Sequence, residues 1–203
     1  MLTRRHLLAS GLAALGATRA LAQDIAPAAP PLRPETPPAP LVPPPVLVAI
    51  PPGFPPNELH VDPDTFSLFW TLPGEQAILY RCGIGRAGLY EPGEFFIGAK
   101  KEWPAWTPTP DMIARQPELY AQWADGMPGG PSNPLGARAL YLFTPERGDT
   151  FLRIHGTNAP ETIGTAVSNG CARLVNDQIM DLYERVPLEA RVVLHPPTVP
   201  LGA

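Results

Sequence analysis

The chain has 203 residues, 44% of them hydrophobic, and a formal net charge of −4 at pH 7. That length holds one domain with a real core. The acidic balance argues against nucleic acid as a partner.

Residues 1–22 read as an export signal. Arg4 and Arg5 precede a short apolar segment from Leu7 to Gly16, and Ala20-Leu21-Ala22 is a small-x-small cleavage site that puts a mature N-terminus near Gln23. A membrane anchor needs about 20 apolar residues, and Thr18 and Arg19 break this run. The paired arginines fit the twin-arginine route, although ordinary secretory signals carry basic residues too. Without Arg4, Arg5 and Arg19 the chain keeps 12 basic against 19 acidic side chains, near −7. No other stretch is long and apolar enough to span a bilayer, so the expected location is the periplasm or cell envelope.

Residues 23–56 read as a linker. Fourteen of the 30 residues from Pro27 to Pro56 are proline, a density that removes backbone donors and favours extended polyproline II. An inert spacer is favoured over a recognition motif.

From Asn57 the pattern changes to short apolar runs between turn residues. Glu58 to Val61 and Phe66 to Trp70 flank Asp62-Pro63-Asp64-Thr65, a hairpin turn. Gln76 to Ile84, Glu94 to Ala99, Arg138 to Phe143, Thr150 to His155 and Ala190 to His195 are strand-like in length and in their β-branched and aromatic content. The spacing predicts a mostly antiparallel β domain over residues 57–197, followed by a short tail at 198–203. A weak helical pattern over Asp111 to Trp123 is interrupted by Pro117. One helix is well defined: Ile179, Leu182, Tyr183 and Val186 recur at helical spacing, Asn176 is read as its cap, and Pro187 stops it.

Residues 100–136 form a long segment with no clear strand, containing Trp103, Trp106 and "GMPGGPSNPLG". A loop of that length in a compact domain is often functional. The two tryptophans fit a stacking platform or ordinary packing, and packing is preferred.

The reactive chemistry centres on Cys171. Its thiol becomes a nucleophile when a neighbouring imidazole takes the proton. His155 ends a strand-like run, and Cys171 precedes the helix. Gly170 allows a tight turn that could aim the amides of Asn169, Gly170 and Cys171 at a developing oxyanion. The competing reading is a disulfide between Cys171 and Cys82, which an oxidising compartment permits. Cys82 lies in the apolar run "ILYRCGIG", which favours a buried small hydrophobe. Papain-type hydrolases place the cysteine before the histidine, whereas here the histidine comes first. His60 and His195 sit in or beside strands and read as structural. No cluster has metal spacing, and "GIGRAG" does not lead into a helix, so no metal and no nucleotide cofactor are expected.

The stretch "RIHGTNAPETIGTAVSNGCARL" closely resembles the signature of the L,D-transpeptidase catalytic domain (YkuD-like) family: a histidine-glycine pair, a spacer of this length, then serine or threonine, histidine, glycine and cysteine. "GIGRAG", "KKEWPAWTPTPDMI", "GMPGGPSNPLGARALYL" and the final "RVVL" resemble the exported bacterial branch of that family. The resemblance implies a mainly β domain, an L,D-transpeptidase-like β-sandwich or barrel, with one helix following the catalytic cysteine. It implies that Cys171 is the nucleophile and His155 its base, with the Gly156 carbonyl orienting the imidazole. Arg173 would orient the site or the substrate, and Ser168 would shape the turn. Asn169 departs from the pattern, standing where the commonest form has a second histidine, and Ala172 replaces a larger apolar residue.

The resemblance further implies the reaction. Cys171 would attack the diamino acid carbonyl of a peptidoglycan stem tetrapeptide, release D-alanine and hold a thioester. An amine of another stem or of an envelope protein, or water, would then accept the acyl group. Hydrolysis would make the protein an L,D-carboxypeptidase. The reading of another class is a non-catalytic peptidoglycan-binding module with Cys171 locked to Cys82.

Overall fold

The computed structural model describes residues 42–201. The signal read at residues 1–22 and the linker up to residue 41 lie outside the described residues.

The sheet begins earlier than the sequence pattern predicts. Strand β1 (Val46–Ala49) lies inside the expected linker and pairs antiparallel with β4 (Gln76–Arg81), Val46 opposite Leu79 and Ala49 opposite Gln76. The reason is local: "VLVAI" is a proline-free run between Pro45 and Pro51, so its amides can join a ladder. Its place at the sheet edge is where flanking prolines are tolerated.

Strands β2 (Leu59–Asp62) and β3 (Ser67–Leu72) form the predicted hairpin, and β3 pairs onward with β4. The single strand expected from Gln76 to Ile84 divides at Cys82. Beyond it, β5 (Ile84–Gly85) leaves the main sheet and pairs in parallel with β9 (Ala166–Ser168). Strands β6 (Gly93–Glu102), β7 (Arg138–Thr144) and β8 (Gly148–His155) form an antiparallel meander. Strand β10 (Ala172–Arg173) joins β8 in parallel, and β11 (Arg191–Leu194) lies between β2 and β6. The main sheet therefore has nine strands in the order β1-β4-β3-β2-β11-β6-β7-β8-β10. The domain is mainly β, as expected.

Leu59, Leu68, Ile97, Leu140, Leu142, Ile154 and Val192 from the strands share one core with Ile179 and Leu182. Burying each such side chain stabilises by about 1.5–3 kcal/mol. The last two belong to the well-defined helix, which we number α3 (Asn176–Arg185). Two short helices precede it in the chain. Thr109 caps α1 (Pro110–Arg115), its Oγ1 accepting from the Met112 amide at 3.2 Å. Pro117 drives Gln116 out of helical geometry and restarts the chain as α2 (Pro117–Tyr120). At the other end of α3, the Lys100 ammonium donates to the carbonyls of Tyr183 and Val186, closing the helix C-terminus.

The Asn176 cap is corrected. Val175 is the N-cap of α3, and the Asn176 side chain makes no cap bond. Its Oδ1 instead accepts from the amides of Ala137 at 3.0 Å and Thr157 at 3.3 Å, tying the helix start to the segments beside the site.

Candidate active site

Strand β8 positions the histidine by its pleat. Thr150, Leu152 and Ile154 are buried at alternate positions, so Arg153 and His155 take the other face. Strand β10 runs parallel beside it, with Ala172 opposite Ile154 and Arg173 opposite His155. Cys171, one residue before β10, therefore shares the face of Arg173 and lies diagonally across from His155. Cys171 and His155 both line one cleft of about 760 Å³ with Arg153, Arg173, Trp106 and Tyr120.

The turn before Cys171 is held by its own atoms. Ser168 Oγ donates to the Cys171 carbonyl at 2.7 Å and accepts from the Gly170 amide at 3.3 Å. Gly170 has φ 123°, a conformation that side chains rarely adopt, and its Cα lies 2.8 Å from where a Cβ on Gly85 would sit. Two backbones therefore meet behind the cysteine with no space for a side chain. In this structure the Gly170 N–H is turned to Ser168 Oγ. The Asn169 and Cys171 amides have no protein partner among the described residues.

His155 is 5% exposed. Its Nδ1 lies 2.6 Å from the Gly156 carbonyl oxygen, which assigns the proton to Nδ1 and leaves Nε2 as the basic nitrogen. Burial pulls its pKa down to about 4. The Gly156 and Leu135 carbonyls oppose that shift, and Arg153 and Arg173 reinforce it. Burial likewise raises the Cys171 thiol above its ordinary value, with the Arg153 backbone N–H and then the charges of Arg153 and Arg173 partly offsetting the rise. At neutral pH the pair rests as thiol and neutral imidazole. The arginine charges favour thiolate and disfavour imidazolium, so they stabilise one product of a thiol-to-imidazole proton transfer and oppose the other.

Gly156 is fixed from behind. A Cβ there would meet Asn176 Oδ1 at 2.3 Å, and one on Gly136 would meet the same atom at the same distance. Arg173 lines the cleft but is committed to structure: its Nη1 donates to Thr162 Oγ1 at 2.9 Å, and its backbone pairs with Gly83. Asn169, in place of the pattern's second histidine, accepts from Arg86 at 2.7 Å and Arg115 at 3.3 Å, and donates to Tyr120 Oη at 3.0 Å. Of the two tryptophans, Trp106 lines the cleft in edge contact with Tyr120, whereas Trp103 is half exposed outside it.

Sequence reasoning did not find Asn176, Arg86, Arg115, Tyr120 or Phe151. Phe151 sits on the rim at φ 62°, and its carbonyl oxygen lies 4.0 Å from Cys171 Sγ. Arg86 lies in "GIGRAG" and Asn176 at a helix start, but neither context points to the site, and only convergence in space marks the five.

The two cysteines are not joined to each other. Cys82 is fully buried in the core, its thiol pushed up to about 12 by burial, and both cysteines are free thiols. His60 and His195 stack against each other with Nδ1 and Nε2 3.1 Å apart, outside this cleft. Among the described residues no three histidine, cysteine or carboxylate side chains converge as a metal site, and no helix is long and apolar enough to cross a membrane.

Residues 56–194 match the family model of the L,D-transpeptidase catalytic domain, and the chain belongs to that family. It is 36% identical over 128 residues to the Escherichia coli K12 protein described as probable L,D-transpeptidase ErfK/SrfK, covering 62% of this chain and 39% of that protein. The chain thus spans about four tenths of the length of that relative. A crystal structure from Brucella melitensis, described as a probable carnitine operon oxidoreductase, is 45% identical with TM-score 0.51, covering 71% of this chain and 88% of that one. L,D-transpeptidase 3 from Mycobacterium tuberculosis shares the fold at TM-score 0.51 and 13% identity, covering 68% and 60%.

Proposed function

We propose that this protein is an exported peptidoglycan L,D-transpeptidase that works through a Cys171 thioester. The observation that carries the reading is the cleft shared by the Cys171 thiol and a buried imidazole whose Nδ1 is turned to the Gly156 carbonyl. Family membership supports the acyl-transfer class.

In the proposed reaction, His155 Nε2 takes the thiol proton as Sγ attacks the diamino acid carbonyl of a stem tetrapeptide. The new C–S bond leaves an oxyanion, which the amides of Asn169 and Cys171 are free to stabilise. Collapse breaks the C–N bond to D-alanine, whose nitrogen receives the proton from His155. An acceptor amine then attacks the thioester, gives its proton to the imidazole and displaces the thiolate, which is reprotonated. The acceptor is a second stem peptide or an envelope protein. Water in its place gives L,D-carboxypeptidase activity through the same thioester. Placement of the amine and exclusion of water from the cleft govern that partition.

The test is product analysis. Incubation with a disaccharide tetrapeptide should release D-alanine and yield a 3-3 linked dimer by mass spectrometry, and Cys171→Ala should yield neither. Release without dimer would favour hydrolysis. No release, with the variant indistinguishable from the parent, would contradict the reading.

A further inference from the structure

Two guanidinium groups converge on one neutral oxygen at the edge of the cleft. Arg86 and Arg115 both donate to Asn169 Oδ1, at 2.7 and 3.3 Å. Arginine only donates, so the amide must turn its oxygen toward them and its nitrogen toward Tyr120. Neither arginine has a carboxylate within 4.0 Å among the described residues. Asp111, one turn before Arg115 on α1, does not pair with it. The other side-chain contact of Arg86 is the neutral Gln116 Oε1 at 3.1 Å, and its buried Nε has no partner.

Two like charges gathered on one dipole without a counterion leave a local positive potential, and planar guanidinium forks suit a carboxylate. Arg115 lines the cleft and Arg86 reaches it through Asn169, whereas the other two lining arginines are committed elsewhere. Arg153 grips both Asp149 oxygens, at 2.6 and 2.8 Å, and Arg173 is bound to Thr162. Arg115 is the exposed cation of the cleft lining. Asparagine suits position 169 for this purpose because an amide oxygen offers two lone pairs to two donors, whereas an imidazole offers one at most and none when protonated.

We propose that Arg86 and Arg115, gathered by Asn169, form a carboxylate-binding subsite on the rim of the Cys171 cleft, and that it receives a carboxylate of the peptide substrate. The identity of the ligand rests on the acyl-transfer reading, while the anion site rests on the arginine geometry. Arg115, carried on α1, is then a specificity-determining residue, and Asn169 is a positioning residue that keeps both arginines on one target.

Binding to the full chain carrying Cys171→Ala, measured by calorimetry, separates the subsite from turnover. The probes are the disaccharide tetrapeptide and versions of it with each carboxylate singly amidated. One amidation should weaken binding about tenfold, and Arg115→Gln on the same background should erase that difference while Arg115→Lys keeps part of it. With Cys171 intact, Arg115→Gln should act on KM more than on kcat. Equal binding of all amidated forms, no binding of any peptide, or an equal loss for every peptide in Arg115→Gln would overturn the subsite. Carboxylate-dependent binding without any turnover by the parent would contradict the acyl-transfer reading and leave the subsite standing. Turnover with carboxylate-independent binding would do the reverse.

Discussion

The Nδ1 of His155 and the carbonyl oxygen of Gly156 lie 2.6 Å apart, so the backbone of the next residue chooses the tautomer of the buried imidazole. A carboxylate fills that role in the Ser-His-Asp triad, and there it also stabilises the imidazolium. A carbonyl carries only a partial charge, so burial dominates and His155 stays neutral down to about pH 4.

The first prediction is a pH profile. His155 is basic above its pKa and loses its lone pair as pH falls through it, so the acid limb of kcat/KM should lie near 4 rather than near the ordinary imidazole value. His155→Gln should lower the rate by about 10²- to 10⁴-fold. An acid limb at 6 to 7 would contradict this assignment.

A second prediction concerns Asn176. Its Oδ1 is the acceptor for the Ala137 and Thr157 amides, and it fills the space above Gly136 and Gly156. Asn176→Ala leaves both amides without that acceptor and should cost about 1–3 kcal/mol of stability. The Gly156 carbonyl loses its support in the same variant, so kcat should fall while binding of the peptide is kept. Chemical denaturation and steady-state kinetics check the two halves separately.

Gly170→Ala supplies a third. The new Cβ would meet the Leu89 carbonyl at 3.0 Å with φ at 123°, which costs about 1–3 kcal/mol. The strain falls on the turn before Cys171, so alkylation of Cys171 should slow as well. An alanine variant as stable and as reactive as the parent would contradict the tight-turn assignment.

Much of this fold is legible in the sequence because its strands alternate or run apolar between turn residues, and Pro117 and Pro187 break helices where they stand. The motif stretch also locates Cys171, His155 and Gly156. Strand β1 was hidden by composition: the prolines around it obscure a five-residue run whose amides are free. Asn176 was misjudged because a capping residue type at a helix start looks the same whether its oxygen turns to its own helix or to a neighbouring loop. The Asn169 cluster joins residues 86, 115, 120 and 169, which local periodicity cannot bring together.

The fourth prediction is acid destabilisation. The folded pKa of His155, about 4, lies below its value of about 6.5 in an unfolded chain. His60 is lowered too, first by burial and then by His195, with Glu58 opposing. Between the folded and unfolded values the unfolded state binds more protons, so stability is full above about pH 6.5 and declines as pH falls toward 4. Denaturant midpoints at pH 7.5, 5.5 and 4.5 should decrease in that order, and His155→Asn should flatten the slope.

The most direct measurement is the intact mass of the protein trapped during reaction with the disaccharide tetrapeptide, followed by peptide mapping. The mass should rise by that of the substrate less D-alanine, with the adduct on Cys171 and none on the buried Cys82. An unmodified protein during active turnover, or an adduct on any other residue, would contradict a Cys171 thioester.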